Sequence, residues 1–352
     1  MCSKKSSKIS AIEAAQDRIR SSRSDKIDVC ELAQSIIRGE TEALARAITL
    51  IESNNPMDRP ISHSLLYEVS QLKASKDDAL RLGVTGIPGV GKSTFIEKLG
   101  VDLIEEGFKV AVLAVDPSSQ RTGGSILGDK TRMEKLAINE NAFVRPSPAA
   151  DALGGVARAT MEAVLLCEAA GFNRIIIETV GVGQSEISVR DMVDVFCLLL
   201  IGGAGDEVQG IKRGIVEVAD IVVVHKADGE YITSCKDTAS SYRNALHLFP
   251  PPLGGESVDV ICASSISGVG HNDIRRRIDS LVDSWRKNNF FQNQRLGQKA
   301  DKMQSHAKEL LLESKMQSQS SKADWDALAS KVNSGDISPF SAAWTWVNGD
   351  QQ

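Results

Sequence analysis

The chain has 352 residues, of which 42% are hydrophobic and 25% charged, values typical of soluble globular proteins with a sizeable core. Its formal net charge of −5 argues against a nucleic-acid-binding protein, and the lack of any apolar run of about 20 residues argues against a membrane-spanning one. The length suits one large domain with appendages, or two domains.

Residues 1–27 form a Ser- and Lys-rich basic tail, which we predict to be disordered. A mitochondrial transit peptide has a similar composition, but Glu13 and Asp17 count against targeting. The six cysteines are scattered and include no C-x-x-C pair, which is typical of proteins in a reducing compartment. We therefore expect a cytoplasmic protein, with the mitochondrial matrix as the alternative.

Residues 28–78 are predicted to form a cap of three helices, because apolar residues recur at helical spacing between breaks at Gly39 and at 54–56. The recurring apolar positions are Leu32, Ile36, Ile37, Leu44, Ile48, Ile51, Leu65, Leu66, Val69 and Leu72. Nothing in the cap suggests chemistry of its own.

Between residues 79 and 285, apolar strands alternate with helices, which predicts a single domain built on a mostly parallel sheet with crossover helices. The predicted strands are 81–85, 109–115, 142–145, 174–178, 195–201, 221–225 and 258–262. The predicted helices are 92–106, 130–137, 154–170, 207–219, 230–246 and 270–286. Since the strands are apolar without alternation, we expect helices on both faces of a doubly wound α/β sheet and ligands at the carboxyl ends of its strands.

Residues 286–352 are predicted to form a C-terminal helical arm. Its first part is polar apart from 310–312, whereas residues 340–346 contain two tryptophans and few charges. That apolar ending fits packing against the chain itself or against another subunit, and the sequence leaves both open.

A phosphate-binding loop is predicted at residues 86–94, GIPGVGKST, which match G-x-x-x-x-G-K-[ST] between a predicted strand and a predicted helix. Backbone N–H groups of such a loop, and the start of its helix, surround phosphate oxygens. Lys92 is expected to reach the β- and γ-phosphates, Ser93 to bind Mg²⁺ and Thr94 to contact the α-phosphate. The candidate nucleotide-binding residues of this loop are Gly86, Pro88, Gly89, Val90, Gly91, Lys92, Ser93 and Thr94. The motif predicts a protein that binds a nucleoside triphosphate.

Two carboxylates, Asp116 and Glu178, each follow or end a predicted strand. A divalent ion beside a triphosphate uses one or two carboxylates, directly or through water. Both residues are therefore candidate magnesium ligands, and the alternative for each is a helix cap or turn residue.

The base is predicted from His225-Lys226-Ala-Asp228, which follows a strand where GTPases carry Asn-Lys-x-Asp. Asp228 would accept hydrogen bonds from guanine N1–H and the exocyclic amine, while the stem of Lys226 packs on the ring. His225 stands in place of the Asn, which should weaken the site more than change its preference. Backbone groups of Ala263, Ser264 and Ser265 at the last strand end would contact guanine O6, so guanine is the favoured base.

The motifs together resemble the MeaB/ArgK family of P-loop GTPases, the G proteins that accompany methylmalonyl-CoA mutase. The matching segments are 86–94, Asp-Pro-Ser-Ser at 116–119, TGGSILGDKTRM at 122–133, ETVGVGQSE at 178–186 and GDEVQGIK at 205–212. The resemblance covers residues 28–285 closely and implies a P-loop fold of the SIMIBI type. It further implies a homodimeric, Mg²⁺-dependent GTPase that binds GTP and GDP. Such a protein is a chaperone for an adenosylcobalamin-dependent mutase, which it assists in cofactor loading, protection and reactivation.

By the same resemblance, Asp116, Asp129 and Glu178 would serve the magnesium shell and the first two switch loops. Gln184 would lie in the second switch, and Lys212 in a further mobile loop that couples nucleotide state to the mutase. With Lys92, Asp116 and Glu178, these two residues complete the candidate catalytic set. From composition alone, Lys212 fits equally well as an ordinary surface lysine.

Two other functions share the same loop and sheet. A nickel metallochaperone GTPase of the kind that serves urease or hydrogenase needs His- or Cys-rich segments, which this sequence lacks. An ATPase or kinase attached to lysine, arginine and ornithine transport would use ATP, and Lys226 with Asp228 argues against adenine.

Overall fold

The computed structural model describes residues 27–53, 55, 57–73, 79–115, 133–146, 153–179, 185–203, 213–249, 252–317 and 319–349. The chain divides into two compact units, Met1–Phe291 and Gln292–Gln352. Among the described residues, no helix combines the length and apolar character needed to cross a bilayer. Nearly all of the tail predicted at 1–27 lies outside the described residues.

A parallel seven-stranded sheet forms the centre of the first unit, in the order β3-β2-β4-β1-β5-β6-β7. Its strands are β1 Leu80–Gly86, β2 Val110–Val115, β3 Ala142–Arg145, β4 Arg174–Thr179, β5 Val195–Ile201, β6 Ile221–His225 and β7 Asp259–Cys262. Every residue of β1 and β6 is buried, as expected for strands covered on both faces. The doubly wound α/β fold predicted from the sequence is confirmed.

Helices precede the sheet, connect its strands and follow it. Those of the cap are α1 Val29–Ile37, α2 Thr41–Ile51 and α3 Asp58–Leu72. Those between and after the strands are α4 Lys92–Glu105, α5 Glu134–Ala137, α6 Leu153–Ala169, α7 Ser185–Arg190, α8 Arg213–Glu217, α9 Ile232–Leu246 and α10 His271–Lys287. Helix α7 was not predicted, because six residues are too few to show a helical period.

The cap shares a hydrophobic core with the sheet. Helices α1, α2 and α3 pack against α6. Ile36, Leu44 and Leu65 are fully buried in one cluster with Val164 of α6 and Ile177 of β4. Helical periodicity thus places the apolar faces of the cap helices against the same core that covers one face of the sheet.

A buried carboxylate also joins the cap to the sheet. Glu168 on α6 accepts a hydrogen bond from Lys73 Nζ at 2.8 Å, and another from Arg81 Nε at 2.8 Å. The side chains of Arg81 and Glu168 are each 2% exposed, so this charge is compensated by partners and not by solvent. Lys73 follows α3 and Arg81 lies in β1, so Glu168 connects two stretches distant in sequence from its own helix.

The second unit consists of helical segments. The C-terminal helices are α11 Phe290–Gln317, α12 Gln319–Asn333 and α13 Pro339–Asn348. Trp346 packs on Trp325, with ring centroids 4.9 Å apart, and its Nε1 donates to Ser321 O at 2.8 Å. Phe340 and Trp344, by contrast, are 88% and 70% exposed. One of the two late tryptophans therefore packs against the arm itself.

Candidate nucleotide-binding site

The predicted site residues that the structure describes lie at one edge of the sheet. The phosphate loop follows β1, Glu178 lies next to the end of β4, Asp228 follows β6 and Ser264 follows β7. Because the strands are parallel, their carboxyl ends meet at the same edge. The topology therefore brings a phosphate-binding motif, a candidate metal ligand and a candidate base-binding motif together.

Two glycines of the phosphate loop have no room for a side chain. A Cβ on Gly86, whose φ is +150°, would lie 2.6 Å from Leu199 O. A Cβ on Gly91, whose φ is +95°, would lie 2.9 Å from the ring of His225. Gly91 is also the N-cap of α4, so the unpaired N–H groups of a helix start face the loop.

Lys92 is held inside the loop. It is only 8% exposed, and its Nζ donates to Gly86 O at 2.8 Å and to Ile87 O at 3.2 Å. The loop's own carbonyl groups thus orient a largely buried ammonium group where the motif predicts phosphates. Of the other loop residues, Pro88, Gly89 and Thr94 are exposed.

A hydroxyl and a carboxylate lie together beside the start of α4. Ser93 Oγ donates to Glu178 Oε1 at 3.3 Å. Both are hard oxygen donors of the kind that Mg²⁺ prefers beside a triphosphate. Within the described part of the chain, no three His, Cys, Asp or Glu side chains cluster to hold a metal by themselves. The pair therefore fits an ion that takes its remaining ligands from phosphate and water.

Four of the candidate residues fall outside the described residues: Asp116, Asp129, Gln184 and Lys212. Their assignments to the magnesium shell, the switches and the coupling loop stay predictions.

The predicted guanine-binding residues are connected to one another. Ser264 Oγ donates to Asp228 Oδ2 and accepts from the backbone N–H groups of Ile266 and Ser267 at 3.3 and 3.2 Å. The N–H of Ala227 donates to Ala263 O at 3.0 Å. Asp228 Oδ1 takes no hydrogen bond from the described residues and is available to a ligand.

Lys226 joins the base-binding motif to the phosphate loop. Its backbone has a φ of +61°, in the left-handed region, and its Nζ donates to Gly89 O at 2.8 Å. A lysine in that region is uncommon outside functional sites. Its side chain therefore reaches the phosphate loop from the same segment that carries Asp228, which is consistent with a ring-packing role.

His225 lies behind the phosphate loop. It is 3% exposed, its Nδ1 lies 2.8 Å from Val90 O, and its Nε2 lies 2.7 Å from Ser265 Oγ. Burial lowers the pKa of its imidazole, so the ring is neutral near pH 7. The side chain of Val90 is fully buried in the core, so this residue offers its backbone to the site. His225 thus connects two loops from within.

One residue of this environment was missed in the sequence. His271, the first residue of α10, is 1% exposed and its Nε2 lies 3.1 Å from Ser265 Oγ. Burial lowers its pKa to about 4. The one sequence signal for His271 is its position at the predicted start of the helix after the last strand, because no motif includes it.

The family model described as "Methylmalonyl Co-A mutase-associated GTPase MeaB" matches residues 44–320. A "Putative GTPase" of Caulobacter vibrioides is 54% identical over 244 residues, covering 69% of this chain and 74% of that protein. A "Methylmalonic aciduria type A homolog, mitochondrial" of Mus musculus is 42% identical over 332 residues, covering 90% of this chain and 78% of that protein. Among solved structures, "LAO/AO transport system kinase" superposes with a TM-score of 0.70 at 33% identity, covering 93% and 99% of the two chains.

Proposed function

We propose a cofactor-chaperone role for this chain, which belongs to the MeaB family of methylmalonyl-CoA mutase-associated GTPases. The resemblance seen in the motifs is thus confirmed, and the protein is a GTPase linked to methylmalonyl-CoA mutase. In our proposal it assists an adenosylcobalamin-dependent acyl-CoA mutase in cofactor loading, protection and reactivation. It would do so in the cytoplasm, or in the mitochondrial matrix, an alternative that is supported by the mouse relative being named a mitochondrial protein.

The observation that carries a guanine-dependent function is Asp228, whose Oδ2 is held by Ser264 while Oδ1 remains available. Guanine presents two adjacent donors, N1–H and the exocyclic amine, to such a carboxylate. Adenine presents an acceptor at N1 and no amine at C2. The arrangement therefore supports GTP and GDP as ligands over ATP and ADP.

Hydrolysis at such a site depends on positioning and charge neutralisation. Lys92 would neutralise phosphate charge from within its loop, and Ser93 with Glu178 would hold Mg²⁺. When bound, the ion neutralises charge that develops on the phosphate oxygens. Ser93 and Glu178 orient each other through their hydrogen bond at 3.3 Å. The sequence contains no residue that is recognisable as a water-positioning Gln, so we expect slow intrinsic turnover.

The partner proposal predicts that the mutase raises the GTPase rate. We expect an increase of about tenfold or more, because a partner that orders the switch loops completes the site. Phosphate release would be measured with the chain alone, with the mutase, and with an unrelated protein at the same concentration. Lys92→Ala mixed with mutase controls for contaminating GTPases. An unchanged rate in the presence of mutase would contradict the coupling and leave the GTPase activity itself in place.

We also propose a homodimer that uses the C-terminal arm, supported by the exposure of Phe340 and Trp344. Sedimentation should give about twice the chain mass of 37.9 kDa. Replacing both aromatics by serine should shift the protein toward the monomer, because apolar area stabilises subunit contacts at roughly 25 cal/mol per Å². Leu253→Ser, at a residue 95% exposed in the first unit, is the matched control. A wild-type monomer at micromolar concentration would refute the dimer.

A further inference from the structure

Three polar side chains form a hydrogen-bond chain behind the phosphate loop. Val90 O lies 2.8 Å from His225 Nδ1, and His225 Nε2 lies 2.7 Å from Ser265 Oγ. Ser265 Oγ in turn lies 3.1 Å from His271 Nε2. This series of hydrogen bonds links the phosphate loop to the end of β6, then to the segment after β7, and finally to the first residue of α10.

With His225 neutral, the carbonyl group of Val90 sets the direction of every hydrogen bond in this network. A carbonyl oxygen only accepts, so His225 Nδ1 carries the proton and, in a neutral ring, Nε2 is an acceptor. Ser265 O–H must then donate to His225 Nε2, and its oxygen accepts from His271 Nε2–H. This leaves His271 Nδ1 without a proton, and that buried atom has no hydrogen-bond partner among the described residues.

Both rings are also fixed by packing. Phe95 of α4 meets the ring of His225 edge-on, with centroids 5.8 Å apart, and the ring of His271 at 5.2 Å. A Cβ built on Gly91 would lie only 2.9 Å from the His225 ring, so the backbone of the phosphate loop packs closely against that ring. Packing therefore couples the position of the His225 ring to that of the phosphate loop.

The two parts of the nucleotide site meet in this chain. Val90 lies between the glycines of the phosphate loop, and Ser265 lies in the segment predicted to contact guanine O6. We propose that His225, Ser265 and His271 are positioning residues whose hydrogen-bond chain fixes the phosphate loop relative to the guanine-binding segment. This inference rests on the proposed guanine-nucleotide site and does not depend on a mutase partner.

A histidine in place of asparagine has a physical consequence here. The imidazole, which is longer than an asparagine side chain, reaches Val90 O from the end of β6 through its Nδ1. Its other nitrogen, Nε2, then needs a hydrogen-bond donor. Ser265 supplies that donor, and His271 Nε2–H donates a hydrogen bond to the serine oxygen. The substitution at 225 thus makes nucleotide binding depend on a second histidine, 46 residues further along the chain.

Ser265→Ala tests the chain at its centre. We expect the dissociation constant for fluorescent N-methylanthraniloyl-GDP to rise roughly tenfold, since two buried ring nitrogens lose their partner. Ser265→Thr retains the hydroxyl and should restore affinity to within about threefold of the wild type. His247→Asn, at an exposed histidine on the surface of the same unit, is the matched control and should bind like the wild type. Wild-type affinity in Ser265→Ala would overturn the proposal.

His271→Phe separates positioning from stability. Phenylalanine keeps an aromatic ring against Phe95 and removes the unpartnered nitrogen, so the melting temperature should not fall. The affinity for GDP should still fall several-fold, because Ser265 loses its donor. A fall in melting temperature without loss of affinity would indicate a purely structural histidine and refute the proposal.

Nitrogen NMR of the full chain, labelled at histidine, reads the hydrogen-bond directions without any substitution. His225 should be neutral at pH 7 with its proton on Nδ1, and His271 neutral with its proton on Nε2. A proton on Nε2 of His225 would contradict the chain. Failure of the wild type to bind GDP would instead count against the nucleotide site itself, so the two failures are distinguishable.

Discussion

Replacing Lys92 by alanine is expected to abolish GTP hydrolysis, with a loss of at least about a thousandfold in kcat/KM. Lys92 is 8% exposed, and its ammonium group donates to Gly86 O and Ile87 O. A cation already oriented in a sheltered loop needs no reorganisation when phosphate charge develops. Alanine leaves the loop backbone in place but removes that charge. Phosphate release at low and saturating GTP would measure the effect.

Lys109→Ala is the matched control for this variant. Lys109 is exposed and precedes β2, at the edge of the sheet opposite the phosphate loop. Its removal should leave the rate within about twofold, as for most surface changes. If hydrolysis survived in Lys92→Ala, the assignment of residues 86–94 as the phosphate loop would be wrong.

Asp228→Asn is expected to weaken GDP binding by about a hundredfold or more and to improve binding of xanthosine diphosphate. The asparagine oxygen can still accept from Ser264, so the loop should keep its shape. At the ligand, however, an amide N–H would meet the donors of guanine, whereas xanthine presents a carbonyl there. The base preference should therefore reverse without loss of fold.

The measurement is a competition of GDP, xanthosine diphosphate and ADP on wild type and variant. Asp237→Asn, at an exposed residue of α9, controls for the loss of one negative charge. ADP binding as tightly as GDP to the wild type would favour the ATPase or kinase alternative. Unchanged GDP affinity in Asp228→Asn would mean that another group recognises the base.

The elements predicted best from the sequence are those whose own residues determine them. An uninterrupted apolar run such as 195–201 is stable as a strand only where both of its faces are buried. Strand β5 has these bounds in the structure. The loop at 86–94 is equally local, because its motif is complete within nine consecutive residues.

What the sequence did not show depends on contacts between distant segments. His271 acquires its role only because the last strand places it beside Ser265 and Phe95. The bracing of Val90 by His225 likewise spans 135 residues of sequence. Neither hydrophobic periodicity nor a sequence motif indicates such a contact, because the contact exists only after the sheet has assembled.

The ion-paired Glu168 has a consequence for the order of events during synthesis. Its partner Lys73 precedes it by 95 residues, and the cap helices bury their apolar faces on the same helix α6. At about 5–20 residues per second, the ribosome needs roughly 5–20 s to make that intervening chain. During this interval the first three helices can pack on one another but lack the helix that completes the burial of their apolar faces. The nascent chain therefore completes its N-terminal region only after the middle of the protein has been translated.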